Sequence, residues 1–192
     1  NVSLVTKSPL VVRDLDVLSR LAERSRLTVY LSLITIEVPL IRKLEARSPM
    51  PPMRLRALEK LAVGGLRAGV MLAPVLPGVT DGVAQLGALM RAAGDAGASF
   101  VHASPLRLYP AVRPVFLPVV ARHFPALLPR YERAFDARGC VTAAYAAALE
   151  RRVARLQREA GFPTWAEDEA AAGRYRRRPE TPDDLGQWVL PL

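Results

Sequence analysis

Four strand-like segments, residues 2–5, 28–34, 68–75 and 99–103, alternate along the chain with stretches of helical periodicity. This alternation constrains the fold more than any other feature. Strands separated by helix-length connections pair in parallel, so the pattern predicts an α/β protein with helices covering one or both faces of a parallel sheet. Parallel sheets place their chemistry at the carboxyl ends of the strands. Those ends read Thr6-Lys7-Ser8, Thr35, Pro77-Gly78 and Leu106-Arg107.

The totals fit one ordinary domain with a real core: 192 residues, 51% hydrophobic and 23% charged. The chain opens Asn-Val-Ser-Leu-Val, directly into a strand and without an initiator Met. It is therefore expected to be the carboxyl-terminal part of a longer protein. The apolar stretches 27–41 and 68–79 are broken by Glu37 or by prolines. Neither reaches the roughly 20 residues that cross a bilayer. A soluble, cytoplasmic protein without a membrane partner is the expectation. Cys140 stands alone, so it forms no internal disulfide and no cysteine-rich metal site. The net charge of +9 makes nucleic acid a candidate partner. A genome rich in G and C would also enrich Arg and Ala.

A helix is predicted from Asp14, with Leu15, Leu18 and Leu21 on one face. A short helix over residues 39–45 precedes the proline-rich segment 46–52. That segment launches a helix carrying Leu55, Leu58 and Leu61, which ends at Gly64-Gly65. Another helix runs to Ala96. After Pro110 the rhythm becomes purely helical, over residues 112–123, 126–134 and 141–160. Residues 111–162 thus read as a helical extension. Residues 163–192, with Trp165, Glu167-Asp168-Glu169 and the cluster Arg174, Arg176, Arg177 and Arg178, read as a poorly ordered tail or docking arm.

Several segments carry a family resemblance. They are Val5-Thr6-Lys7-Ser8, Ser32-Leu33-Ile34-Thr35, Leu44-Glu45-Ala46-Arg47-Ser48-Pro49 and the run 69–81, Gly-Val-Met-Leu-Ala-Pro-Val-Leu-Pro-Gly-Val-Thr-Asp. In this order and spacing they resemble the later half of radical S-adenosylmethionine (radical SAM) proteins. The similarity is to the spore-photoproduct-lyase-like group, also described as DNA repair photolyase-like. His123-Phe124-Pro125, Pro129-Arg130-Tyr131-Glu132 and Ala143-Ala144-Tyr145 resemble an actinobacterial branch of that group. The resemblance implies a partial, TIM-like (β/α) barrel, with residues 1–110 supplying its last four strands. It also implies a [4Fe-4S] cluster held by a Cys-x-x-x-Cys-x-x-Cys loop, which this chain lacks, and an electron donor such as a flavodoxin or ferredoxin.

By the same resemblance, these residues are the wall facing S-adenosylmethionine. Lys7 is expected to meet the methionyl carboxylate, as a strand-end ammonium can. Ser32 is expected near the ribose, with Thr35 a weaker candidate. Leu76, Gly78 and Leu106 are expected beside the adenine, where glycine permits close backbone approach. Without the resemblance each has an ordinary reading: an exposed lysine, a hydroxyl bonded to backbone, a turn glycine. Glu45 and Arg47 read as a polar pair bracing their loop. His102 reads as a core or mouth-lining histidine with no carboxylate spaced to serve it. Cys140 reads as a small buried hydrophobe.

Two other readings compete. An unrelated (β/α)-barrel hydrolase or lyase without a cluster would use Lys7 as a Schiff-base lysine, with Glu37 the acid nearest a strand end. A nucleic-acid-binding module would rest on arginine alone, without a helix-turn-helix or aromatic-interleaved strand.

Overall fold

A computed structural model describes residues 1–173, with side chains described through residue 170. Strands β1 (Val2–Thr6), β2 (Leu27–Ser32), β3 (Ala68–Val75) and β4 (Val101–Pro105) form a four-stranded sheet in that spatial order. All three pairings are parallel. The strand order never reverses, so each crossover steps the sheet forward by one strand. The α/β class expected from the alternation is therefore present.

The β2 strand is buried along nearly its whole length. Leu27, Val29, Leu31 and Leu33 point to one face, joined there by Ala68, Val70, Leu72 and Val101. Helices α3 (Pro51–Val63), α4 (Val83–Asp95) and α7 (Ala143–Glu159) supply Leu58, Leu61, Leu86, Met90, Leu149 and Leu156 to the same cluster. Helix α1 (Leu15–Arg24) adds Leu15, Leu18 and Leu21, partly buried. The period of two puts Thr28, Tyr30 and Ser32 on the opposite face. There the Tyr30 and Phe100 rings meet at 4.9 Å, and the Arg67 guanidinium lies 4.5 Å above the Phe100 ring. Gly69 runs beneath Phe100, where a Cβ would come within 2.4 Å of the Phe100 carbonyl oxygen. No side chain fits at that position.

A second apolar cluster closes the carboxyl ends of β2, β3 and β4. Ile34, Leu76, Leu106 and Leu108 leave the strands and are covered by Val120 of α5 (Arg113–His123), Tyr131 of α6 (Leu128–Arg133) and Phe135. Ile41 of α2 (Val38–Leu44) joins them. The helical extension is thus a roof over three strand ends.

The two sheet edges differ. At β4 the outward carbonyl of Val101 accepts a hydrogen bond from Gln157 Nε2 of α7 at 2.7 Å. Strand β1 pairs only with β2 among the described residues, and none of its residues is buried.

The final segment corrects an expectation. Trp165–Gly173 forms helix α8 rather than the start of a poorly ordered tail. Thr164 and Glu167 close its first turn reciprocally: Glu167 Oε2 accepts from the Thr164 amide at 2.8 Å, and Thr164 Oγ1 accepts from the Glu167 amide at 3.4 Å. This Thr-x-x-Glu capping box satisfies otherwise unpaired helix N–H groups. Trp165 then packs on His102 with ring centroids 4.2 Å apart, and Asp168 pairs with Arg67. Arg174, Arg176, Arg177 and Arg178 lie outside the described residues. No described helix is long and apolar enough to cross a membrane.

Candidate functional site

The most heavily built polar cluster lies where β1 and β2 end. Thr6, the last residue of β1, stands opposite Leu31 in the parallel register, which leaves Lys7 just past β1 and Ser32 at the end of β2. Lys7 is half-exposed, and its Nζ donates to Glu45 Oε1 at 2.7 Å. Glu45 follows α2, and its other oxygen accepts from an Arg54 terminal nitrogen, also at 2.7 Å. Arg54 uses its second terminal nitrogen on the Ser32 carbonyl at 2.7 Å, and its Nε on the Pro49 carbonyl at 2.8 Å. Lys7, Glu45, Arg54 and the end of β2 therefore form one continuous network.

Arg54 has no solvent exposure. A buried guanidinium is costly unless paired and hydrogen-bonded; this one pairs with Glu45 and donates from each of its three nitrogens. Its position adds to the cost. Pro51 and Pro52 fix the start of α3, which puts Arg54 near the helix N-terminus, where the macrodipole disfavours a cation. Glu45 offsets both penalties. Burial works to raise the Glu45 pKa, but hydrogen bonds and charge from Lys7 and Arg54 outweigh it and hold the carboxyl below the usual glutamate range.

The partner expected for Glu45 is corrected. Arg47 is exposed, and Glu45 turns away from it toward Lys7 and Arg54. The chain folds this way because Arg54 must find a buried carboxylate. The sequence reading passed over Arg54, yet a signal was there. Arg54, Ala57, Leu58 and Leu61 follow the i, i+3, i+4, i+7 spacing of the buried stripe of α3. A cation on that stripe requires a partner.

The remaining candidates separate into groups. Ser32 is buried at the end of β2 and its carbonyl accepts from Arg54, while its hydroxyl makes no hydrogen bond among the described residues. Thr35 is buried, and its Oγ1 accepts from the Glu37 amide at 3.1 Å, which shapes the turn into α2. Leu76, Gly78 and Leu106 belong to the roofed region. Leu76 and Leu106 are 2% and 6% exposed and packed in the second apolar cluster. The loop between them is fixed by its own polar groups. Thr80 Oγ1 accepts from the Leu76 amide at 2.8 Å, and Asp81 Oδ1 accepts from the Gly78 amide at 2.9 Å. Gly78 adopts φ +74°, and a Cβ there would stand 3.2 Å from Leu127. The structure therefore links Lys7 to the end of β2 through Glu45 and Arg54, and it packs Leu76 and Leu106 beneath the helical extension while Gly78 stays exposed at its margin. Tyr131 and Tyr145 brace the same loop, donating to the Pro77 carbonyl and to Asp81 Oδ2, each at 2.9 Å. Burial pushes both phenols above their ordinary range, and for Tyr145 the neighbouring Asp81 adds to the effect.

His102 does acquire a carboxylate, one its local sequence did not offer. Asp168 of α8 brings Oδ2 to 3.1 Å from Nε2, although neither ring nitrogen has an aligned hydrogen-bond partner. Burial lowers the His102 pKa; Asp168 pulls it upward and Arg67 downward. The pair sits on the open face of the sheet and anchors α8. Cys140 is half-buried in a turn where Asp136 Oδ1 accepts from its amide at 2.8 Å, and the preceding Gly139 carbonyl accepts from the Leu108 amide just beyond β4 at 2.8 Å. Among the described residues, no cluster of His, Cys, Asp and Glu could hold a metal ion.

No family model matches the chain. It is similar to an uncharacterized protein of Mycobacterium tuberculosis, with 33% identity over 154 residues, which is 80% of this chain and 45% of that protein. An uncharacterized protein of Mycobacterium bovis matches to the same extent. An uncharacterized protein of Acidianus two-tailed virus shares 40% identity over 72 residues, 38% of this chain and 23% of its own length. The chain thus spans about half the length of the mycobacterial relatives it matches.

Proposed function

We propose that this chain is the later half of a radical S-adenosylmethionine barrel, with the ends of β1 and β2 as its cofactor-binding wall. The observation that carries the reading is the network that joins Lys7, just past β1, through Glu45 and Arg54 to the Ser32 carbonyl at the end of β2, on a sheet whose order never reverses. A barrel wall has that unreversed order. Lys7 retains donors beyond the one given to Glu45, and its half-exposed ammonium suits a carboxylate. The free Ser32 hydroxyl suits a sugar hydroxyl. Leu76 and Leu106 fit an adenine less well as they stand, because their side chains are buried in the roofed cluster, and Leu127 flanks the exposed Gly78.

The chemistry supplied in such proteins is one-electron cleavage of S-adenosylmethionine to methionine and a 5′-deoxyadenosyl radical. The residues of this chain bind and orient. Lys7 holds the carboxylate, Glu45 fixes where the ammonium points, and Arg54 locks Glu45 to the end of β2. The cluster ligands and the first strands are assigned to the remainder of a longer protein, in keeping with the length of the mycobacterial relatives. A flavodoxin or ferredoxin would supply the electron. The hydrolase or lyase reading is weaker. A Schiff-base lysine is activated by desolvation or by a neighbouring cation, whereas Lys7 is half-exposed and held by a carboxylate.

The test uses the full-length gene product, reconstituted with iron and sulfide without oxygen. Visible iron–sulfur absorption and dithionite-dependent 5′-deoxyadenosine are expected. Lys7→Ala should weaken S-adenosylmethionine binding about tenfold, equivalent to about 1.4 kcal/mol. A protein that forms neither the cluster nor 5′-deoxyadenosine would overturn the reading.

A further inference from the structure

A cavity of about 500 Å³ opens beside the outer edge of β4, between α7 and α8 and away from the strand-end network. Its size is that of a small-molecule site. The wall from α7 is made of Ala146, Leu149, Val153 and Ala154, and two of these four are small enough to leave room. Trp165 forms the opposite wall. Its indole rests on the buried His102 ring but is itself half-exposed.

Five side chains with polar atoms line this cavity: His102, Glu150, Gln157, Thr164 and Trp165. Gln157 is buried, and its Nε2 is committed to the Val101 carbonyl. Its Oε1 accepts no hydrogen bond from any described residue, so the amide presents an acceptor. Glu150 stands at the rim without an ion pair among the described residues. Thr164 spends its hydroxyl proton on Glu167 Oε2. The Trp165 N–H is spent on Glu169 and the His102 nitrogens are buried, Nε2 beside Asp168, so the side-chain groups left open to the slot are the acceptors Gln157 Oε1 and Glu150, which select a flat ring that carries donors.

We propose that this cavity binds a planar bicyclic aromatic molecule bearing N–H or NH₂ groups. The ring stacks on Trp165, one donor reaches Gln157 Oε1, and a second reaches Glu150. The site stands on its own geometry and is independent of the S-adenosylmethionine reading.

The probe is 5-aminoindole, with benzofuran as a control of similar shape that lacks a donor, each titrated into the full chain and followed by calorimetry and NMR. Saturable binding of 5-aminoindole, at least tenfold tighter than benzofuran, is expected. Ala154→Leu narrows the slot and should abolish binding. Glu150→Ala should weaken it severalfold, and both variants should keep the thermal midpoint of the parent. Three outcomes would overturn the proposal. One is no saturable binding up to the solubility limit, meaning that protein fills the cavity. The others are equal binding of the two probes, and unchanged binding in a folded Ala154→Leu variant.

Discussion

A single carboxylate shared by two cations decides the chemistry at the end of β1. Glu45 neutralises one positive charge of the Lys7 and Arg54 pair, so the cluster keeps one net positive charge. Arg54→Met keeps much of the volume but leaves the Ser32 and Pro49 carbonyls without their donor and Glu45 without its buried partner. Breaking such a pair costs about 3–5 kcal/mol, and a urea titration of the variant should show that loss. The pH dependence follows from Glu45. Its native pKa lies below the ordinary glutamate range, so folding binds fewer protons there than unfolding does. The stabilisation is complete above that ordinary range and is lost as pH falls through the depressed native value. Urea midpoints measured from neutral pH downward should therefore fall less steeply for Glu45→Gln than for the parent, from a lower starting stability. Parallel curves would rule Glu45 out as the group responsible. Sequence alone placed Lys7 at a strand end because strand ends follow from hydrophobic runs, but it put Ser32 inside a strand running to Ile34, whereas β2 ends at Ser32. It could not place Arg54, whose partners arrive from three separate segments.

At the scale of elements, the strands and most helices were readable because their apolar spacing is strong. Residues 28–34 and 68–75 are almost continuously apolar, and α4 and α7 repeat at three and four residues. Two features were not readable in that way. Helix α8 has a Thr-x-x-Glu start but a weak apolar stripe, so its place depends on the distant His102 and Arg67. The roof of α5 and α6 was readable as helix, but not as a cover for Leu76 and Leu106, because no local pattern reports which strand end a helix meets. Tyr131 ties that roof to the loop through the Pro77 carbonyl. Tyr131→Phe should lower stability by about 1 kcal/mol. It should also speed hydrogen exchange in the 76–81 loop ahead of the β2 amides. Uniform loosening of both regions would argue against a separable roof.

For the whole molecule, the asymmetry of the sheet is the dominant fact. The β4 edge is covered by α7 through Gln157, whereas β1 exposes Val2 and Val5 and contains no buried residue. Helix α1 and the 3₁₀ turn before it also bury nothing completely. An uncovered strand edge beside exposed valines favours association with another strand. The chain should therefore sediment with concentration-dependent mass, and Val5→Lys should suppress that dependence. A monodisperse parent at all concentrations would refute this expectation. The same lopsidedness governs traffic. With β2, β3 and β4 sealed at their tips by α5 and α6, a solute reaching Lys7 comes in from the β1 flank. A strand docked along that flank would stand at the doorway to the ammonium.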